Sequence, residues 1–139
     1  MSVAAGPGRP VPYPDDASEP FWSACARHEL VLQTCASCGA VRFPPRPMCP
    51  ACRSLQSTWT PASGRGTVWS WVVAHPPVLP SFAERVPFNV AVVELEEGVR
   101  MIGNIVGCEN GDIREHMPVE VAFEDLEDGV SLPQWRPAG

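Results

Sequence analysis

Four cysteines in the first half of the sequence have the spacing of a metal site. They form two CxxC pairs that are separated by ten residues. Each CxxC turn directs two thiolates at a common point, and Zn²⁺ in a structural site takes four such ligands at about 2.3 Å. Gly39 and Pro50 favour tight turns beside the sulfurs. The pattern predicts a zinc ribbon with the ligands Cys35, Cys38, Cys49 and Cys52.

The remaining residues that could take part in catalysis are isolated from one another in the sequence. Four thiolates leave no open position for a catalytic water, so we expect the zinc to be structural. His28 falls on a predicted helix, His75 at the start of a loop and His116 in a turn, and no partner side chain is patterned beside them. We interpret Cys25 as a small buried apolar residue and Cys108 as inert. The sequence therefore predicts no catalytic residue.

The charges argue against several classes of function. The formal net charge is −6, and all ten basic residues are arginine. Without lysine the chain can provide neither a Schiff base nor a phosphate-loop lysine. Residues 1–60 carry five arginines and four acidic residues (+1), whereas residues 61–139 carry five arginines and twelve acidic residues (−7). An acidic second half would repel a nucleic-acid backbone.

The length and the cysteine content bound the class of protein. A chain of 139 residues is long enough for one small β domain with an appendage. No apolar run approaches about 18 residues, and the proline-rich start has no apolar core, so we expect neither a membrane span nor a secretory signal. With four cysteines assigned to the metal, a reducing cytoplasm is a better interpretation than a disulfide framework.

The segment before the ribbon predicts an extended arm followed by a short helix. Residues 1–14 are rich in proline and cannot form helix or sheet. Asp16 or Ser18 is a candidate helix cap, and Pro20 suits a first turn. The following helix has an aromatic face that must be buried, either on its own domain or on a partner. Its candidate partner-binding residues are Phe21 and Trp22.

The ribbon contains three arginines near the metal loops. Short strands are predicted before the first CxxC pair, over residues 30–34, and after it, over residues 41–43. Arg42, Arg46 and Arg53 lie close to these loops, and a guanidinium group suits both phosphates and carboxylates. They are equally well interpreted as solvated surface residues.

The rest of the chain predicts a small β barrel. Five strands rich in β-branched and aromatic residues are expected over residues 67–74, 88–95, 99–106, 119–124 and 130–134. Turn dipeptides such as Asn110-Gly111 and Asp128-Gly129 separate them. Five mostly antiparallel strands favour a barrel of the oligonucleotide/oligosaccharide-binding type, the OB-fold, with an SH3-like barrel as the alternative.

The connection between the first two barrel strands, residues 75–87, is unusually long. It contains four prolines and several apolar side chains, which a monomer has little reason to expose. The loop at this position is a usual ligand site in OB-folds. Packing back onto the barrel is an equally good interpretation. The candidate partner-binding residues are Pro76, Pro77, Leu79 and Phe82.

The order of these motifs resembles the DUF35 family, from about residue 14 onward. The matching stretches are Pro20-Phe21-Trp22, Cys35-Ala36-Ser37-Cys38-Gly39, Arg42-Phe43-Pro44-Pro45-Arg46, Cys49-Pro50-Ala51-Cys52 and His75-Pro76-Pro77. The resemblance implies a mainly β chain with three parts: an arm and helix over residues 1–29, a rubredoxin-like zinc ribbon over 30–56, and a five-stranded OB-fold over 57–139.

The resemblance also implies a function. Family members are commonly partners of thiolase-like enzymes, and this chain is most similar to subunits that pair with lipid-transfer-type thiolases acting as aldolases in steroid side-chain degradation. It implies a non-catalytic, zinc-binding subunit of a hetero-oligomer, in which an assembly of two copies of each subunit is one arrangement. The complex would act on acyl-CoA substrates, and Arg42 and Arg46 would contact the CoA phosphates.

Two other functions remain as alternatives. Zinc ribbons and OB-folds also occur in proteins that bind single-stranded nucleic acids with stacking aromatics. Trp69 and Trp71 lie two residues apart and so are predicted to share one strand face as a stacking platform. The acidic second half and the absence of lysine weigh against nucleic acid. The third alternative is an acyltransferase activity of the chain itself.

Overall fold

The computed structural model describes residues 10–76 and 79–139. In chain order its helix and strands are α1 (Glu19–Ala26), β1 (Val31–Cys35), β2 (Val41–Arg42), β3 (Ser57–Pro61), β4 (Arg65–Ala74), β5 (Phe88–Leu95), β6 (Arg100–Gly103), β7 (Pro118–Asp125) and β8 (Ser131–Pro137). Within these ranges no helix has the length and apolar character needed to cross a bilayer. The chain is mainly β, as predicted.

α1 begins after a pair of reciprocal hydrogen bonds. The Ser18 amide donates to Asp15 Oδ1 at 2.8 Å, and the Asp15 amide donates to Ser18 Oγ at 3.1 Å. Pro20 lies in the first turn, where its missing N–H removes no helical hydrogen bond. The buried face, which includes Phe21 and Cys25, packs against β1 and β8. The helix is thus attached to both the ribbon and the barrel.

The cysteine-containing segment forms a three-stranded antiparallel sheet in the order β2-β1-β3. β1 pairs with β3 along its whole length, from Val31 opposite Pro61 to Cys35 opposite Ser57. The sequence analysis did not predict β3 and assigned its residues to the barrel. The structure places β3 (Ser57–Pro61) in the same sheet as β1 and β2.

The other five strands form one curled antiparallel sheet in the order β6-β5-β4-β7-β8. β4 is long enough to pair with β5 along most of its length and with β7 at its first residues. The two edges meet where Ile105 forms a parallel bridge with Trp135. There the Trp135 amide donates to the Asn104 carbonyl at 2.9 Å. This arrangement confirms the predicted five-stranded OB-fold.

A β-bulge in β4 separates two tryptophans that the sequence placed on one face. The register with β5 shifts between Val68 and Ser70. As a result Trp71 turns inward and packs against the core, whereas Trp69 is 46% exposed. The guanidinium of Arg100 lies 3.9 Å from the centre of the Trp69 ring. The predicted two-tryptophan platform is therefore absent, because the extra residue of the bulge reverses the alternation.

One apolar core runs through the helix, the ribbon and the barrel. It includes Phe21 and Cys25 of α1, Leu32 of β1, and Val68 and Trp135 of the barrel, none of them more than 2% exposed. Burial of apolar surface is the main favourable term in folding, at about 25 cal/mol per Å². The ribbon and the barrel are therefore joined by shared packing as well as by the chain.

Candidate metal centre and surrounding surfaces

The four predicted ligands converge at the tip of the ribbon. Their sulfur atoms all lie within 4.8 Å of one another. The Sγ atoms of Cys35 and Cys52 are 3.5 Å apart, and those of Cys38 and Cys49 are 3.7 Å apart. A tetrahedral Zn²⁺ with Zn–S bonds of about 2.3 Å places its sulfurs about 3.8 Å from one another. The four thiolates thus fit a single ion.

The two CxxC turns have the same backbone design. In the first, the Gly39 amide donates to the Cys35 carbonyl at 3.0 Å, and in the second the Arg53 amide donates to the Cys49 carbonyl at 2.8 Å. Gly39 and Arg53 both have positive φ, 79° and 68°. Glycine adopts this conformation freely and arginine does so rarely. Each turn therefore reverses the chain immediately after its second cysteine.

Backbone amides favour the thiolate form of the first cysteine in each turn, whereas at Cys52 the Ser54 backbone is outweighed by the neighbouring Cys35 sulfur, burial and the other two sulfurs, which raise its pKa to about 12. The amides of Cys38 and Ser37 donate to the Cys35 sulfur at 3.4 Å each, and the Cys38 amide contributes most to lowering the pKa of Cys35 to about 6. In the second turn the amide of Cys52 is the main cause of the lowered pKa of Cys49. A thiol that loses its proton easily is a better metal ligand at neutral pH.

Arg42 and Arg46 lie in different environments. Arg42 is 3% exposed, and its Nη2 donates to the Arg46 carbonyl at 2.8 Å. Gln33 holds the same residue, because its Nε2 donates to the Arg46 carbonyl and its Oε1 accepts the Arg46 amide, both at 2.9 Å. The Arg46 side chain is exposed and, with Arg100, lines a pocket of about 370 Å³. Arg42 also lines this pocket, but its side chain is buried and donates to the Arg46 carbonyl, whereas the Arg46 side chain is exposed.

The aromatic residues of α1 serve mainly the interior of this chain. Phe21 is 2% exposed, and its ring centre lies 5.2 Å from that of Phe43. Trp22 packs edge-on against Phe21 at 5.1 Å and is only partly buried. It borders a groove of about 440 Å³ beside β6 and β8. Phe21 is thus unavailable to a partner, while part of Trp22 faces solvent.

The loop between β4 and β5 combines exposed and packed residues. Pro76 is exposed, and Leu79 is 44% exposed. Phe82 stacks on Phe88 with ring centres 5.3 Å apart. The loop forms one wall of a cavity of about 730 Å³, whose opposite wall comes from β7 and β8. Pro77, the other predicted contact in this loop, lies outside the described residues.

The hydrogen bonds of His28 do not form a catalytic relay. Its Nε2 lies 2.7 Å from Asp125 Oδ1, and the same oxygen accepts a hydrogen bond from Ser131 Oγ at 2.6 Å. In a Ser-His-acid relay the hydroxyl donates to the imidazole. Here serine and histidine both bind the carboxylate, so the imidazole does not activate Ser131. The ring of His28 also stacks on Phe123 at 5.1 Å, which ties the end of α1 to β7.

The structure shows an exposed apolar surface that the sequence analysis did not single out. Val72 of β4 is 62% exposed and Ile102 of β6 is 67% exposed. A strand with one wet face normally alternates apolar and polar residues. Residues 71–74 and 90–93 are apolar at every position, with no polar face. This continuous apolar pattern is the sequence feature from which the exposed apolar surface could have been predicted.

Comparison with known protein families matches both parts of the chain. The family described as "ChsH2, rubredoxin-like zinc ribbon domain" matches residues 22–57, and the family described as "ChsH2, C-terminal OB-fold domain" matches residues 59–124. A solved structure named "Ltp2-ChsH2(DUF35) aldolase" contains a chain with 38% identity and a TM-score of 0.85. The match covers 92% of this chain and 99% of that one.

Curated relatives fall into two groups. A "DUF35 domain-containing scaffold protein" of Methanocaldococcus jannaschii is 40% identical over 110 residues, which are 75% of this chain and 77% of the relative. A "3-oxo-4,17-pregnadiene-20-carboxyl-CoA hydratase alpha subunit" of Mycobacterium tuberculosis is 42% identical over 84% of this chain. A "Probable enoyl-CoA hydratase alpha subunit" of Thermomonospora curvata is 41% identical over 85%. The chain spans little more than a third of these two hydratase subunits, 36% and 37%.

The fold and the four-cysteine cluster define a protein with a rubredoxin-like zinc ribbon and an OB-fold. With relatives of this identity and coverage, the chain belongs to the DUF35/ChsH2 family. The resemblance seen in the sequence motifs is thereby confirmed.

Proposed function

We propose that this chain is the non-catalytic, scaffold-like subunit of a complex with a lipid-transfer-type, thiolase-like aldolase. The complex would cleave or form carbon–carbon bonds in steroid side-chain CoA esters, by retro-aldol or thiolase-type chemistry. The observation that carries the proposal is the match to the DUF35 chain of the Ltp2-ChsH2(DUF35) aldolase over 99% of that chain's length. The hydratase subunits among the relatives support CoA esters as the substrate class.

The local chemistry agrees with a supporting role. The Ser131 and His28 side chains bind the same carboxylate and form no nucleophile-base pair. Cys35, Cys38, Cys49 and Cys52 would hold Zn²⁺ with four protein ligands, and such a site has no position left for a substrate or a catalytic water. Zinc would therefore fix the shape of the ribbon, while the partner supplies the reacting groups.

The role of this chain in the complex would be to bind the partner and to help shield the substrate. Water exclusion strengthens electrostatic interactions in an active site. Leu79 and Pro76 are exposed on the loop between β4 and β5, and Trp22 is partly exposed, so they remain candidate contacts. Phe82 supports the loop from within by stacking on Phe88.

Arg46 is the candidate contact to the CoA phosphates. Its side chain is exposed, its backbone is held by hydrogen bonds from Arg42 and Gln33, and the pocket that it lines also contains Arg100. Glu94 lines the same pocket and pairs with Arg100 at 3.3 Å, so Arg46 is the guanidinium group that this pocket offers to a phosphate. Arg42 would act on the phosphate only through the position of Arg46.

The test is reconstitution with the Ltp2 subunit of the solved aldolase. We expect the chain alone to show no cleavage of a steroid side-chain CoA ester, and the mixture to co-elute and to show activity. Absence of a complex would refute the proposal, and so would activity of this chain alone. Arg46→Gln should raise the KM for the CoA ester, while Arg136→Gln, an exposed arginine of β8 outside this pocket, is the control. Equal KM values in the two variants would remove Arg46 from the site.

A further inference from the structure

The outer surface of β4, β5 and β6 is apolar across three strands. β5 alternates regularly between buried and outward residues. Its outward valines lie beside outward residues of the neighbouring strands: Val92 is opposite Ile102 of β6, and Val90 is opposite Val72 of β4. On the β4 side Val92 is opposite the polar Ser70, which limits the apolar surface there. We call this surface the outer sheet face, and its residues are Val72, Phe88, Val90, Val92 and Ile102.

The outer sheet face remains open in the described structure. Val72 and Ile102 are 62% and 67% exposed, although both have large apolar side chains. The helix α1 packs mainly on β1 and β8, and its Trp22 borders a groove that Ile102 of β6 also lines. Phe82 covers only the Phe88 end of the face. The largest apolar patch on a soluble domain, typically about 300–600 Å², is often a functional surface.

The charges around the face favour a protein as that molecule. Arg100, next to Ile102, pairs with Glu94 at 3.3 Å and also lies over Trp69. Arg65, near the start of β4, pairs with Glu96 at 3.3 Å. Both cations at this end of the sheet are thus neutralised within the chain. Nucleic acids and anionic membranes bind through clusters of unneutralised cations, so an apolar protein surface fits better.

The size of the face favours a partner other than a second copy of this chain. Three strands spaced about 4.8 Å apart and some six residues long, at about 3.3 Å each, give roughly 300 Å². Two such faces packed together would bury about 600 Å², whereas a stable interface buries about 1,200–2,000 Å². On its own the face is too small to hold two copies of this chain together, so it would be the apolar centre of a larger contact.

We propose that the outer sheet face is the surface on which the thiolase-like subunit docks, through an apolar and largely uncharged surface of its own. This inference rests on the proposed function. It assigns the main binding energy to Val72 and Ile102 rather than to the aromatic residues of α1, since Phe21 is buried within the chain. Because the contact is apolar, its affinity should change little between about 0.05 and 0.5 M NaCl.

The experiment measures the affinity of the full-length chain for the Ltp2 subunit of the solved aldolase. Val72→Glu and Ile102→Glu should each weaken binding by at least about 30-fold, the loss typical of a central interface residue. Leu55→Glu is a matched control, because Leu55 is a ribbon residue that is 64% exposed. It should keep the wild-type affinity. Circular dichroism and thermal unfolding verify that all three variants remain folded.

The outcomes separate the two proposals. If the wild-type chain binds and the Val72→Glu and Ile102→Glu variants bind equally well, the docking face is refuted and the proposed function stands. If the wild-type chain does not bind, the proposed function is refuted and the docking face with it. Light scattering adds a third outcome: a wild-type dimer that Ile102→Glu converts to a monomer would overturn the inference in favour of a second copy.

Discussion

Gly66→Ala should destabilise the chain by about 2 kcal/mol. Gly66 lies in β4 where that strand is paired on both sides, opposite Leu95 of β5 and Val119 of β7. A Cβ atom built on Gly66 would overlap the carbonyl oxygen of Glu94 and approach Val93 Cγ1 to 2.9 Å. Val93 is fully buried. The added methyl group therefore cannot move toward open space.

The magnitude follows from two opposing terms. Overpacking a core costs about 1–3 kcal/mol, and the upper part of this range applies because the carbonyl belongs to a paired strand. Replacing glycine with alanine also lowers the conformational entropy of the unfolded chain, which stabilises the folded state by about 0.4–1 kcal/mol. The net loss of about 2 kcal/mol corresponds to a melting temperature lower by roughly 6–8 °C for a chain of this size.

The assay is urea unfolding of the zinc-loaded protein, followed by tryptophan fluorescence, with Gly111→Ala as the control. A Cβ on Gly111 has no atom within 4 Å, and its φ is not positive. The control should remain within about 0.5 kcal/mol of the wild type. The reasoning fails if Gly66→Ala is as stable as the wild type, or if the two variants lose the same free energy of unfolding.

Three further predictions concern the metal, a buried amide and pH. Chelation of the zinc, or the substitution Cys49→Ser, should unfold the chain. Structural zinc contributes about 10–16 kcal/mol of binding free energy in small peptides, which matches or exceeds the whole stability of a domain, about 5–15 kcal/mol. Metal analysis should give one zinc per wild-type chain. Asn89→Leu should cost about 2–4 kcal/mol, since the buried Asn89 donates to the Ile105 carbonyl at 2.9 Å and accepts its amide at 2.6 Å, and both groups would lose their partner. The pKa of Asp125 is lowered in the folded chain, mainly by the hydrogen bond from the Ser131 hydroxyl. The ionised Asp125 therefore stabilises the fold fully at a pH above its unfolded-state pKa. This stabilisation is lost as the pH falls through its folded-state pKa. Melting temperatures of Asp125→Asn and the wild type should therefore converge in acid.

Each of these predictions has its own counter-result. A chain that keeps its near-ultraviolet circular dichroism after complete zinc removal would show that the ribbon folds without metal. Equal unfolding free energies for Asn89→Leu and the wild type would show that water replaces Asn89 as the hydrogen-bond partner of the Ile105 amide and carbonyl. A constant difference in melting temperature between Asp125→Asn and the wild type, from about pH 2 to pH 7, would contradict the assigned hydrogen bonds.

The features that the sequence predicted well are those that local chemistry determines. Four cysteines with short fixed spacings can meet around an ion with little help from the rest of the chain. The start of α1 was predicted from local residues too: Pro20 lies in the first turn, although Ser18 at the N-cap position makes no side-chain capping hydrogen bond. The barrel strands were found because their β-branched residues are continuous between turn residues.

The features that the sequence did not predict depend on distant pairing. β3, with the sequence STWTP, has little apolar character and is a strand because β1 lies beside it. The bulge after Val68 inverts the expected sides of Trp69 and Trp71, and no residue in β4 signals it. From the sequence Arg42 is expected at the surface, but its side chain donates to the Arg46 carbonyl, which also accepts a hydrogen bond from Gln33. Long-range partners override local preference in all three cases.

The shared core limits how the ribbon and the barrel can be exchanged between relatives in a chimera. Two family descriptions divide the chain between residues 57 and 59, but this point lies inside β3, which pairs with β1. A chimera joined there would separate Leu32 from Val68 and Trp135, with which it forms one core. We therefore expect ribbons and barrels of different relatives to be exchangeable only together with α1 and β3. We expect the two named parts to unfold as one cooperative unit, because they share one core.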